Sequence, residues 1–339
     1  MLAMILQEAL SLPVEEKLAL CDELKAMVME ELSGAAGDPE ACPRCGRAHV
    51  VRKGRGADGS QRWLCRGCGR TFNAGTRRLL ASSKLPAAAW SRFVELSLEG
   101  ASIARCAADL GVCAATAWFM RIRLCEVMRS RLAPFRPGRP CQLDGTYLAE
   151  SLKGCPDMPR APRADGRLRV RGVSDLQICV ECGVNDLGDC FCEVCDRGRP
   201  TDAALRASLG GRVGPGSRVT TDGLGSYGRV LAGLGVASHE AVDAKEERDG
   251  RLRAVNCLHG RLDAFLRRFH GVSTRWLQWY LDWFCWLEQR RRSDERPSDV
   301  LAAEAAAGRY EHTRRDLLGG DRPFWDYWRA AEREAKVAA

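Results

Sequence analysis

The sequence predicts a multidomain chain: a small metal-stapled β module, then three helices, then an α/β domain that carries the chemistry. Three observations predict it. Two Cys-x2-Cys knuckles, Cys42-Pro-Arg-Cys45 and Cys65-Arg-Gly-Cys68, stand 19 residues apart. Three stretches of helical spacing follow, punctuated by Gly100 and Gly111. Beyond a Pro- and Arg-rich linker, Pro134 to Pro140, the pattern changes to short strands alternating with helices.

Composition narrows the classes first. A chain of 339 residues, 45% hydrophobic, can hold two or three domains and bury a large core. No apolar run approaches the ~18 residues that span a bilayer, and the first residues lack a signal-peptide layout. The expectation is a cytoplasmic protein with no membrane partner. Seventeen cysteines would suit a secreted disulfide scaffold only in a small chain in an oxidising compartment, so reduced thiols and one zinc site fit better. The net charge of +8 permits a polyanionic partner without demanding one.

Residues 1–36 place Leu18, Leu20, Leu24, Met27 and Met29 at helical spacing behind Pro13, Glu15 and Glu16, which reads as a helical arm or dimerisation segment. In residues 38–80, Cys42, Cys45, Cys65 and Cys68 supply four thiolates to one tetrahedral ion, the spacing of a structural zinc ribbon. Strand-like runs His49 to Arg52 and Gln61 to Leu64, joined by a turn at Gly56 to Gly59, put the knuckles at the ends of a hairpin. Gly46 and Gly69 follow the knuckles, where tight backbone is needed. From Cys42 to Phe72 there are eight Lys or Arg against Asp58 alone, a surface suited to phosphates.

In residues 84–132, Pro86 opens a helix through Trp90, Phe93, Leu96 and Leu98 that stops at Gly100. A second helix runs from Ser102 to Leu110, and a third follows Cys113 with Arg121, Arg123 and Arg129. This is a helix-turn-helix layout, whose last helix would enter a DNA major groove. The alternative is a plain three-helix bundle whose arginines solvate its surface.

In residues 138–291 the order is three strands as a meander, then helix, strand, helix, strand, helix. The strands are around Cys141 to Leu148, Leu176 to Gly183, Cys190 to Cys195, Ser217 to Thr221 and Val236 to Ala241. Thr201 caps a helix to Leu209, and a helix from Val255 to His270 closes the set. That is the element order of an RNase H-like domain. Cys179, Cys182, Cys190, Cys192 and Cys195 could form a second metal site, but alternating strands place neighbours on opposite faces, and buried small residues fit better. Trp276, Trp279, Trp283 and Trp286 read as a packing stripe rather than a base-stacking platform. Residues 292–339 are charged and helix-prone, with Phe324, Trp325 and Trp328 as an aromatic patch.

Asp144 and Asp222 each precede a glycine, and an Asp-Gly pair alone is most often a turn. In an RNase H-like order, however, they fall on the first strand and just after the fourth, which are neighbours in the sheet. Two carboxylates so placed can hold a pair of hard cations about 3.5–4 Å apart against a phosphodiester. On the closing helix, Asn256, His259, Asp263 and Arg267 lie along one face at three- and four-residue steps.

These pieces together resemble bacterial insertion-sequence transposases with an N-terminal zinc ribbon, a helix-turn-helix and a DDE-type RNase H-like core. The matching segments, spanning residues 40–290, are the ribbon, LDGTYLAES around Asp144, Asp196 to Thr201, TTDGLGSY around Asp222, and VNCLHGRLDAFLRRFHG from Val255. The resemblance implies that Asp144 and Asp222 are the first two ligands for catalytic Mg²⁺ or Mn²⁺ and that Asn256 is the third motif position. Many relatives carry Glu where this chain has Gly145, Glu where it has His259, and Lys near Leu266, beside which Arg267 stands here. A branch of the family carries His at the His259 position, which favours a variant active enzyme over an inactive copy. A site with two Asp and no third acid binds Mg²⁺ more weakly, so His259 is expected to join Asn256 at the metal and to favour Mn²⁺.

The function expected from this resemblance is binding of terminal inverted repeats, then metal-dependent cleavage and strand transfer. Its partners would be double-stranded DNA at the element ends and at the target, and further copies of the chain, in a bacterial cytoplasm at the nucleoid. Two other functions share the parts: a DNA-binding regulator with a catalytically silent core, and a structure-selective nuclease.

Overall fold

The structure is a computed structural model describing residues 2–34, 39–57, 59–151, 153, 172–243, 250–291, 307–320, 323, 324 and 326. The chain divides into two compact units, Met1–Arg131 with Ser293–Leu318, and Leu132–Arg292 with Gly319–Ala339.

The first unit opens with α1 (Leu2–Ser11) and α2 (Val14–Gly34), broken at Pro13. Helix α2 packs on α3 (Ala87–Leu98), yet Leu10, Val14, Leu18 and Met27 stay exposed. Strands β1 (Val50–Arg55), β2 (Gln61–Cys65) and β3 (Thr71–Phe72) make an antiparallel sheet in that order. Pro86 caps α3, and Gly100 ends it at φ +79°, a conformation that costs glycine nothing. The Ser102 side chain accepts the Arg105 N–H at 3.2 Å and starts α4 (Ile103–Asp109); α5 (Ala114–Arg129) follows the turn at Gly111.

Helix α5 corrects the sequence expectation. Every residue from Met120 to Met128 is buried, Arg121 and Arg123 among them. Arg121 donates to the Ala101 carbonyl at 2.9 Å and stacks 5.5 Å from the Phe93 ring. Arg123 donates to the Ala81 carbonyl and sits 4.1 Å from the Tyr310 ring. Neither guanidinium is available to a DNA backbone; on α5 the exposed positions are Ala114, Ala115 and Arg129. The cover comes from the C-terminal segment, whose Tyr310 N–H donates to Arg77 O at 2.8 Å and whose His312 N–H donates to the buried Glu126 at 3.1 Å. It ends in α10 (Arg314–Gly319), anchored by buried Leu317.

The second unit is a five-stranded sheet in the order β6-β5-β4-β7-β8. Strands β4 (Pro140–Ala149), β5 (Gln177–Asn185) and β6 (Cys190–Arg197) are antiparallel; β7 (Arg218–Asp222) and β8 (Ser238–Val242) run parallel to β4. Asn185 closes the β5–β6 turn, its Oδ1 accepting from the Leu187 and Asp189 amides at 3.1 and 2.8 Å. Helices α6 (Asp202–Leu209), capped by Thr201, and α7 (Gly225–Leu234) pack Leu205, Leu209, Tyr227 and Val230 onto Cys141, Leu143 and Val219.

The opposite face takes α8 (Arg253–Arg267) and α9 (Leu277–Arg290). Gln142 Oε1 accepts the Ala254 and Val255 amides at 2.9 and 3.2 Å, satisfying the open N-terminus of α8. Between α8 and α9, Phe265 and Trp283 meet edge to face at 5.2 Å, so Trp283 is core, as its spacing predicts. The Gln278 amide bonds Val194 N–H and Cys192 O, blunting the β6 edge. The strand thiols split as alternation requires. Cys182 and Cys192 form a cross-strand pair of free thiols 3.5 Å apart near Cys285, while the Cys179 and Cys195 thiols share a hydrogen bond. Among the described residues no single helix is long and apolar enough to cross a membrane.

Candidate metal centres

The ribbon centre is built twice from one local plan. In each knuckle the first cysteine's N–H donates to an arginine carbonyl, Cys42 to Arg47 and Cys65 to Arg70, at 2.9 and 3.0 Å. In each, a glycine N–H returns to that cysteine's carbonyl, Gly46 to Cys42 and Gly69 to Cys65, with φ at +72° and +68°. The tight turns aim four thiols at one point: their sulfurs lie within 4.8 Å of one another, with Cys42 3.8 Å from Cys68 and Cys45 3.6 Å from Cys65. A tetrahedron with Zn–S bonds of about 2.3 Å has an edge of about 3.8 Å, so the donor set fits zinc.

The electrostatics call for a cation. The Cys68 N–H holds the Cys65 thiol down at about 7 against burial, helped by Cys45 and the Gly67 N–H. Its neighbour Cys45 is carried up to about 11: the Arg47 N–H lowers it, and burial with the thiols of Cys65, Cys68 and Cys42 outweighs that. Four thiolates do not share this volume without a positive ion. The module's own apolar core is only Trp63 stacked on Phe72 at 6.0 Å, with Val50 and the two buried cysteines. Around it Arg47, Arg52, Lys53, Arg55, Arg62, Arg66 and Arg70 are all exposed.

The second centre lies on the sheet. Asp144 sits within β4, paired with Cys182, and is therefore not in a hairpin turn. Gln142 of β4 pairs in parallel with Thr220 of β7, and Asp144 and Asp222 each stand two residues further along, on one face at one height. Neighbouring strands are about 4.8 Å apart, a separation that two carboxylates can bridge with a cation pair. Asp222 ends β7, and its Oδ1 accepts the Leu224 N–H at 3.1 Å at the entry to α7.

Helix α8, held by Gln142, brings His259 across the same face, Nδ1 3.8 Å from Asp144 Oδ2. Burial lowers the His259 pKa, the Asp144 backbone opposing, so the ring is neutral near pH 7; its buried Nε2 has no hydrogen-bond partner. A neutral imidazole with an unengaged nitrogen beside a carboxylate is a borderline-soft ligand set that suits Mn²⁺. Asn256 lies one turn earlier on α8 and is exposed. Asp263 is turned to solvent, paired with Arg267 at 3.2 Å. Among the described residues only the four cysteines gather three or more ligand atoms within 4.8 Å. Asp144, Asp222 and His259 share a face of the sheet but do not form such a group.

Sequence reasoning missed Glu181. It faces Gly145 across the β4–β5 pair, is fully buried, and takes the Tyr227 hydroxyl on both oxygens at 2.9 Å. Burial pushes its carboxyl well above the ordinary value; Tyr227 opposes, and Cys179, Asp144 and Asp222 add to the rise. Gly145 makes the room, since a Cβ there would lie 3.3 Å from Cys179 Sγ and 3.7 Å from Glu181 Oε2. The available signal was one acid inside the apolar run Ile178 to Val184. No protein-family model matches this chain and no curated protein matches it in sequence, so the geometry of the two centres is the ground for what they do.

Proposed function

We propose that this chain is a DNA transposase: an RNase H-like core that cleaves and joins DNA with Mn²⁺ or Mg²⁺, guided by a zinc ribbon that holds the duplex. The observation that carries the proposal is the pair Asp144 and Asp222, level on adjacent strands at the centre of a five-stranded sheet, with His259 over them.

Asp144 and Asp222 would hold the cations, with His259 Nε2 and the Asn256 amide oxygen as further donors. When bound, divalent cations polarise the scissile phosphate and make water acidic enough to attack at neutral pH. With such ions bound, water would attack phosphorus in line and lose its proton to solvent, and the 3′ oxygen would leave and take a proton. The freed 3′-hydroxyl would then attack a target phosphodiester, its oxygen bonding to phosphorus as the target's 3′ oxygen leaves with a proton, while its own proton passes to solvent. Glu181 lies on the other face of the sheet, its carboxyl pushed well above the ordinary value by burial, and supplies no ligand to this face. That leaves His259 to complete the donor set and favours Mn²⁺.

The exposed arginines of the ribbon hairpin support contact with duplex phosphates, an affinity without sequence preference. Two element ends must be brought together, and the exposed Leu10, Val14, Leu18 and Met27 of the N-terminal helices support self-association. The regulator alternative leans on α5 entering a groove, and the burial of Met120 to Met128 removes most of that support.

The test incubates purified full-length protein with a plasmid carrying the DNA that flanks its gene. Mn²⁺-dependent nicking and joining is expected from wild type and not from Asp144→Asn or Asp222→Asn, with DNA binding retained by all three. Binding without any metal-dependent cleavage by wild type would make the protein a regulator.

A further inference from the structure

Catalysis leaves a cavity in the first unit without a role. It encloses about 470 Å³ between the ribbon, the loop after β3, α5 and the C-terminal segment. Arg44, Arg77, Arg123 and Arg314 line it, and among the described residues lining it there is no carboxylate. The Nε atoms of Arg44, Arg77 and Arg123 are buried and make no hydrogen bond. Arg123 is only 4% exposed and is fixed in place by the Ala81 carbonyl and the Tyr310 ring. Arg77 is fixed by Pro43 O at 3.4 Å. Arg123 is buried, Arg44 and Arg77 are half-buried and Arg314 is exposed; Glu126 and Asp316 offset part of the charge on Arg123 and Arg77, and the remaining repulsion and lost hydration favour an anion in the cavity.

The backbone is bent to make this arrangement. Arg77 and Ser82, both lining the cavity, hold φ of +64° and +57°, a region that side-chain-bearing residues avoid unless the surroundings impose it. Phe119 and Tyr310 supply ring surface beside the guanidiniums, Arg123 lying 5.8 and 4.1 Å from their centroids.

We infer that this cavity binds a phosphomonoester of nucleotide size, its phosphate on Arg44, Arg77, Arg123 and Arg314 and its base against Phe119 and Tyr310. Guanidinium N–H pairs match phosphate oxygens bidentately, and aromatic faces accept any base. A volume of this order is that of a small-ligand pocket, and a concave site selects a terminal phosphate rather than the mid-strand phosphates that a convex hairpin meets. The ligand is therefore either a free nucleotide or the 5′-phosphorylated end of a strand. The inference does not depend on the catalytic sheet: the pocket can fail while Asp144 chemistry stands, and the reverse.

The test is isothermal titration of zinc-loaded full-length protein with dAMP, deoxyadenosine, and a short single-stranded oligonucleotide with and without its 5′-phosphate. Binding of dAMP is expected, about tenfold or more weakened in deoxyadenosine, in Arg44→Gln and in Arg77→Gln. Arg52→Gln with Arg55→Gln removes two charges from the hairpin, twice as many as either cavity variant, and should leave dAMP binding unchanged. Arg314→Gln, at an exposed residue, gives the same reading should either cavity variant lose its zinc or its fold. A phosphorylated oligonucleotide bound more tightly than dAMP identifies the strand end as ligand; equal affinities identify the free nucleotide. The inference is overturned if neither dAMP nor the phosphorylated oligonucleotide binds, or if dAMP binds the hairpin and cavity variants alike.

Discussion

The ribbon centre and the sheet centre are both candidate metal sites, yet they are held together by opposite means. At the ribbon, Cys42, Cys45, Cys65 and Cys68 come from two tight turns at either end of one hairpin, over a core of little more than Trp63 and Phe72. At the sheet, Asp144, Asp222 and His259 come from β4, β7 and α8, and packed layers on both faces hold them in place. In the first an ion would replace a core; in the second the packed layers position the side chains without one. Metal should therefore be a folding requirement at one centre and a reaction requirement at the other.

The largest expected effect tests the folding half. Cys42→Ser with Cys65→Ser should lose zinc and unfold the ribbon, because a structural zinc is worth about 10–16 kcal/mol of folding in modules this small. Metal analysis and amide exchange check it: protection should vanish over residues 42–72 and persist in β4, β5 and β7. Loss of protection throughout the sheet would mean that the two units do not fold separately.

Next comes the reaction half. Asp144→Asn and Asp222→Asn should each lower cleavage by roughly a thousandfold, while shifting thermal stability little, since both substitutions keep side-chain size and neither residue belongs to the apolar cluster of the sheet. A variant that lost activity together with several degrees of melting temperature would show that the carboxylates are structural.

A smaller effect is expected at the third ligand. His259→Ala should cost about tenfold, more in Mn²⁺ than in Mg²⁺, because it removes the nitrogen donor. Asn256→Ala should lower activity in both metals, and Asp263→Ala, whose carboxylate is paired with Arg267 in solvent, should be silent. Inactivity of Asp263→Ala alone would reassign the third ligand to that carboxylate.

The smallest effect concerns Glu181. Its folded pKa is raised by burial above the ordinary 4.5, so the folded state holds a proton that the unfolded chain releases. Its contribution to stability is complete below the unfolded pKa and is lost as pH rises through the folded one. Glu181→Gln removes that loss, so the melting temperature of the variant relative to wild type should climb as pH rises from 4 to 8. A constant difference across that range would mean that Glu181 is ionised in the fold.

What could be read from the sequence follows the same division. Local signals came through: the knuckles, Pro86 and Gly100 bounding α3, Ser102 opening α4 and Thr201 capping α6. The strand runs were legible because alternation and turn residues report a pleated, half-buried chain, and their order brought Asp144 beside Asp222. Arg121 and Arg123 misled because charge on a helix reads as surface, whereas the two rings and the carbonyl that hold them, Phe93, Tyr310 and Ala81, are distant in sequence. Glu181 was hidden for a like reason. What makes a buried acid tolerable is the Tyr227 hydroxyl from α7 and the gap left by Gly145, and both are facts of packing.

The most direct test of the central claim, that the chain carries one folding metal and a separate reaction metal, is a metal count on wild type and on Asp144→Asn with Asp222→Asn. Zinc would be measured by elemental analysis and Mn²⁺ by electron paramagnetic resonance titration. The expected result is one zinc per chain in both proteins and Mn²⁺ binding that disappears only in the double variant. Mn²⁺ bound with equal affinity by both would contradict the account.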